Sequence, residues 1–151
     1  MRTVWRLCSR RHAATALLGE GARLFGGRWN LKGTPMVYCS STLALAMLEV
    51  LVHAPTLPAD FVAIRVDLPP SVTIDRCPAR ALPAGWQTTP APSTLARFGT
   101  DWSIGSTSVA LEVPSAIIEI ETNILLNPVH PDMSKLVVHR PVPMPFDARL
   151  K

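Results

Sequence analysis

Charged residues make up only 17% of the chain, and the deficit is concentrated in one place. Between Gly33 and Ala59 the single formal charge is Glu49. Tyrosine occurs once, at Tyr38. The three cysteines, Cys8, Cys39 and Cys77, stand far apart and form no Cys-x-x-Cys pair. That excludes a readable disulfide framework or zinc motif and fits reduced thiols buried as small hydrophobes in a cytosolic protein. The longest apolar run, Leu43 to Val52, is broken by Glu49 and is far short of the ~18 residues a membrane span needs. Arg10-Arg11 is followed by too short an apolar stretch, Ala13 to Leu18, for a secretory signal. A cytoplasmic location is therefore expected. No Gly-x-Gly-x-x-Gly opens a helix and no Gly-Lys-Ser/Thr loop occurs, so neither familiar phosphate cradle is present. No serine sits in a Gly-x-Ser-x-Gly turn.

What is present describes one folded domain over residues 1–151. Apolar residues reach 48% of the chain, enough for a core of its own. Fifteen prolines predict many loops and irregular edges. A net charge of +4 and a pI near 9.4 suit an anionic ligand but are modest for a dedicated nucleic-acid binder.

The pattern predicts strands at Val4 to Leu7, Thr34 to Cys39, Phe61 to Leu68, Val109 to Val113, Asn123 to Asn127 and Leu136 to His139. Phe61 to Leu68 alternates most cleanly, with Val62, Ile64, Val66 and Leu68 on one face. Ser115 to Ile118 is read as a continuation of the strand before Pro114, and Val72 to Ile74 as a short strand. Ala13 to Leu18 is expected to be a helical turn or short helix closed by Gly19 and Gly21. Ser93 to Phe98 is expected to be a helix capped by Ser93. The principal helix is Ser40 to His53, capped by Ser40, Ser41 or Thr42 and stopped before Pro55. The class is α+β.

Glu49 is the least ordinary residue of that helix. A carboxylate among Leu, Met and Val costs several kcal/mol unless it is paired or meets a ligand, on the order of what buried ions cost. His53, four residues on, shares its face and reads either as a capping or core histidine or as a base. Gly26-Gly27 before Arg28-Trp29-Asn30 makes a loop that can present a guanidinium and an aromatic ring to one ligand. With no phosphate loop, Arg28, Arg6 and Lys32 are the candidates for holding phosphates. His130 and Asp132 are two apart with no matching set, which argues against a metal site.

Taken together, Gly26-Gly27-Arg28-Trp29-Asn30, Gly33-Thr34, Val37-Tyr38 and Glu49-Val50-Leu51-Val52-His53 resemble the RES-domain family. So do Leu111-Glu112-Val113-Pro114-Ser115, the run Asn123 to Asp132, and Phe146 to Leu150. The resemblance implies a single RES domain with an ADP-ribosyltransferase-like fold of twisted, largely antiparallel sheets and a few helices. It implies a toxin of a bacterial toxin–antitoxin pair that consumes NAD by hydrolysis, phosphorolysis or ADP-ribose transfer to a protein. It also implies a cognate antitoxin with an Xre-type DNA-binding part, whose C-terminal segment enters near the Arg28 pocket. No metal, nucleic acid or membrane is implied. By motif, Arg28, Glu49 and Tyr38 take the catalytic positions. Arg6, Arg28, Tyr38, Trp29 and a serine take the NAD-binding ones. The serine is Ser115 first and Ser108 second, with Ser106 beside it. Two other readings stay open: an RNA-binding or RNA-cleaving toxin, and a noncatalytic interaction module.

Overall fold

The computed structural model describes residues 1–151. Its centre is strand β1 (Arg2–Ser9), longer at both ends than Val4 to Leu7. β1 runs antiparallel to β3 (Phe61–Leu68) along its whole length, from Arg2–Leu68 to Ser9–Phe61. The β3 boundaries are those that alternation predicts. On its other side β1 meets β2 (Val37–Ser40) only at the Trp5–Ser40 pair. The remaining strands are β4 (Ile74–Arg76), β5 (Ala110–Pro114), β6 (Thr122–Leu126), β7 (Val137–Val138) and β8 (Val142–Pro143). They form one sheet in the order β4-β5-β6-β2-β1-β3-β7, with β8 also on β3. All pairings are antiparallel except β4 with β5. The class is α+β, as expected, with one connected sheet rather than several.

Side chains alternate across this sheet and build two layers. Val4, Val62, Ile64 and Val66 join Val37, Cys39, Ile124 and Leu126 in the larger core on one face. Trp29, Met36, Leu95, Leu111, Val113 and Leu125 form a second core. Leu7, Ala46, Leu51, Ala63 and Phe146 form a third beneath helix α2.

The helices are α1 (Glu20–Phe25), α2 (Leu43–Leu51) and α3 (Ser93–Gly105). α2 is the predicted apolar helix, shortened at both ends. Its cap is Thr42, whose hydroxyl accepts from the Leu45 N–H at 3.1 Å. It is apolar on several sides because it lies between the sheet and the C-terminal segment, where Met144 and Phe146 cover it. Burying Leu45 alone, at 2% exposure, is worth about 1.5–3 kcal/mol.

Other expectations fail for local reasons. The helical turn expected at Ala13 to Leu18 lies three residues earlier, as a 3-10 turn over Arg10–Thr15, and a separate helix follows at Glu20–Phe25. Gly19 and Gly26 flank α1 with φ of 69° and 73°, so the glycines bracket a helix rather than close one. α3 continues through Asp101 to Gly105, and its cap is Pro92, with no side-chain cap from Ser93. Ser115 to Ile118 does not extend β5. The Ser115 N–H donates to the Glu121 carbonyl at 2.9 Å, so the chain turns back at once into β6.

Candidate active site

Because β1 and β2 touch at one pair only, the sheet opens between them. There lies a cavity of about 960 Å³, walled by β1, α1, β2, α2 and the start of β6. Trp5 and Arg6 come from β1, Leu24 and Phe25 from α1, Tyr38 from β2, and Glu49 and His53 from α2 and its exit. The size and the mixture of apolar wall with few polar groups suit a cofactor-sized ligand.

Glu49 is half-buried in this wall and makes no ion pair. Its Oε1 accepts from the Ser115 hydroxyl at 2.8 Å and from the Asn123 amide at 2.6 Å. Its Oε2 accepts nothing and is not sealed from solvent. One oxygen is fixed and the other is free to meet a ligand. Ser115 is fully buried, and its oxygen also accepts from the Ile117 and Ile118 N–H groups at 3.1 and 3.2 Å. The reversal after β5 is what brings it to Glu49.

Arg6 supplies the cation of the cavity. Its guanidinium donates to the Tyr38 carbonyl at a long 3.4 Å, while its buried Nε has no partner. A buried guanidinium N–H without an acceptor is poised for an anion. Burial pushes the Cys39 thiol up to about 12, with the Arg6 charge opposing, so this wall offers no thiolate.

Tyr38 presents its ring and not its hydroxyl. The hydroxyl accepts from the Trp29 N–H at 3.0 Å and donates to Asn30 Oδ1 at 2.6 Å. Burial raises its pKa, against the Trp29 hydrogen bond and the Arg28 charge, so the phenol stays neutral. Gly27 permits this lock, since a Cβ there would lie 2.6 Å from the Tyr38 hydroxyl oxygen.

Arg28, Trp29, Ser108, Ser115 and Lys32, all singled out by sequence, lie off the cavity wall. Arg28 points the other way: its guanidinium donates to the carbonyls of Trp86 and Thr88 at 2.8 and 3.1 Å. Its loop borders the cavity through Gly26. Trp29 is 2% exposed and packs in the second core, edge-on to Phe98. Ser108 is buried behind β4, bonded to Asp75, Trp102 and the Ala110 carbonyl, which rules it out as a cavity contact in this structure. Ser106 closes α3 in the left-handed region. His130 and Asp132 bond to each other at the start of a 3-10 turn, and no group of three metal-binding side chains gathers anywhere. Sequence offers Ser40 only as a helix cap and Asn123 only within a family motif, and neither as a site residue. Only their cross-strand pairing reveals them. A second depression of about 580 Å³, lined by Ala79 to Thr88, contains Arg80 but no carboxylate.

Comparison with known proteins gives the family and the fold. The RES domain model matches residues 3–147. The protein named Toxin Res of Yersinia enterocolitica serotype O:8 / biotype 1B is 37% identical over 152 residues, covering 98% of this chain and 99% of that protein. The Prs ADP-ribosylating toxin of Sphingobium sp. (strain YBL2) is 36% identical over 152 residues, covering 97% and 94%. A chain in the crystal structure of the M. tuberculosis MbcT–MbcA toxin–antitoxin complex has the same fold, with a TM-score of 0.77 at 19% identity, over 95% of this chain and 84% of that one. The chain belongs to the RES-domain family.

Proposed function

We propose that this protein is the toxin of a bacterial toxin–antitoxin pair and that it cleaves the nicotinamide–ribose bond of NAD, passing ADP-ribose to an acceptor. The observation that carries this is the Glu49 carboxylate. It has no cation beside it, it is held through one oxygen by neutral donors, and it lines a cavity shared with Arg6 and the Tyr38 ring.

Departure of nicotinamide, a neutral leaving group, generates an oxocarbenium-like ribose and needs little proton transfer. The protein must bind two phosphates, orient the ring and stabilise the positive charge. Arg6, with its unpartnered Nε, holds the pyrophosphate. The Tyr38 ring stacks on nicotinamide. The free Oε2 of Glu49 takes the ribose hydroxyls and faces the developing cation. Arg28 serves the phosphates only by leaving the Trp86 and Thr88 carbonyls. Trp29 supports the loop from behind, and Ser115 steadies Glu49.

The rim bears Leu24 and Phe25, 54% and 78% exposed. This apolar lip suits a segment of an antitoxin, and the fold is shared with a chain from a toxin–antitoxin complex. An Xre-type DNA-binding part on that antitoxin and a cytoplasmic location complete the proposal. NAD is the substrate, and no step calls for a metal. Incubation with NAD should release nicotinamide. Parallel reactions with inorganic phosphate or cell extract would assign water, phosphate or protein as acceptor. No nicotinamide under any of these conditions would refute the reading.

A further inference from the structure

We propose that Asn123 is the positioning residue for Glu49 and that Ser40 braces the Asn123 amide from the neighbouring strand. The inference rests on the catalytic reading of Glu49 given above. Asn123 Nδ2 donates to Glu49 Oε1 at 2.6 Å, the shorter of that oxygen's two hydrogen bonds. An amide can present either its nitrogen or its oxygen, and presenting oxygen would set it against a carboxylate. The carboxylate, which only accepts, makes the choice, and Ser40 secures it: its hydroxyl donates to Asn123 Oδ1 at 2.7 Å, holding the amide with its NH₂ toward Glu49. Ser40 and Asn123 are direct partners in the β2–β6 ladder, and Ser40 is buried. The donor therefore stands on two paired strands, where its position is fixed by backbone as well as by side chains.

The chemistry favours an amide here over a guanidinium. A cation would compensate the charge of Glu49 and compete with the ribose centre that becomes positive. A neutral donor fixes the carboxylate and leaves its charge intact. Tying one oxygen also aims the other into the cavity. Small displacements matter, since a 1 Å error can cost on the order of a hundredfold in rate.

The test compares wild type, Asn123→Ala, Asn123→Asp and Ser40→Ala by nicotinamide release, with folding checked by circular dichroism and melting. Asn123→Ala should lower kcat about tenfold or more while KM for NAD stays within about twofold, because the lost contact is to Glu49 and not to substrate. Asn123→Asp keeps the shape but sets two carboxylates side by side, and such a pair shares one proton. At low pH the protonated partner can still donate. As pH rises the pair repels, so activity should fall steeply relative to wild type. The other titratable groups on this wall are Arg6 on β1, His12 on the 3-10 turn, Glu20 on α1, Tyr38 on β2, His53 beyond α2 and the two buried thiols. They are common to both proteins, so the difference profile isolates the pair. Ser40→Ala should lose about three- to tenfold in kcat and carries the test alone if the Asn123 variants do not fold. Wild-type kcat and an unchanged pH profile in the folded variants, with Glu49→Gln inactive, would overturn the inference while sparing the proposed function. A fully active Glu49→Gln would remove both.

Discussion

Two glutamates, Glu112 and Glu49, show opposite ways of keeping a carboxylate out of bulk water. Glu112 lies on β5 and is 6% exposed. Both its oxygens are taken by guanidinium groups, Oε1 by Arg2 and Oε2 by Arg76 at 2.8 Å. These arginines tie β1 and β4 to β5, and nothing remains for a ligand. Glu49 has only a serine hydroxyl and an asparagine amide, both on one oxygen. A charge compensated on all sides is structural. One that is held but left uncompensated beside a cavity is available for chemistry. The same contrast extends to Asp67, buried on β3 beneath Thr3, Arg65 and His139.

The contrast is broken most forcefully by exchanging charge for amide at each site. Glu49→Gln should reduce nicotinamide release by roughly a hundredfold or more, about 3 kcal/mol of barrier, with the melting temperature nearly unchanged. Glu112→Gln should do the reverse. It weakens two charged hydrogen bonds and should cost about 1–3 kcal/mol, lowering the melting temperature by roughly 3–10 °C while the folded fraction keeps its activity. Equal effects of both substitutions on rate and stability would erase the distinction.

A smaller effect sharpens the difference between the two arginines. Arg6→Ala should raise KM for NAD about tenfold, the loss of one charged contact to phosphate. Arg28→Ala should raise it less and should loosen the 86–88 loop that its guanidinium holds, read as faster amide exchange there. Undiminished affinity in Arg6→Ala would shift the phosphate role to Arg28.

The smallest effect concerns acid. The Thr3 hydroxyl, then the His139 and Arg65 hydrogen bonds, hold the Asp67 carboxyl down to about 2 from its usual 3.8. The unfolded chain takes up that proton more readily, so the stabilisation is complete above about pH 3.8 and is lost as pH falls toward 2. Urea midpoints should therefore fall between pH 4 and 2 in the wild type and more gently in Asp67→Asn. Parallel slopes would contradict this.

Sequence was informative wherever a local pattern carries the information. Phe61 to Leu68 could be bounded because its large aliphatic residues alternate, even though Ala63 and Asp67 on the other face are buried too. Glu49 stood out because its surroundings lack charge. α1 was hidden because six residues between glycines show no helical period. The end of α3 was hidden because Thr100, Asp101 and Ser103 interrupt its apolar stripe. The direction of Arg28 depends on carbonyls nearly 60 residues away. Asn123 joins Glu49 across a separation of 74 residues. No spacing rule reaches that far. The family motifs name candidate residues but not where an arginine points.

The central claim is most directly tested by a crystal structure of Glu49→Gln protein soaked with NAD. The account predicts nicotinamide against the Tyr38 ring, its ribose hydroxyls within hydrogen-bond distance of the side chain at position 49, and a phosphate on Arg6. NAD lodged instead in the depression beside Arg80 and Trp86, with the cavity between β1 and β2 empty, would contradict it.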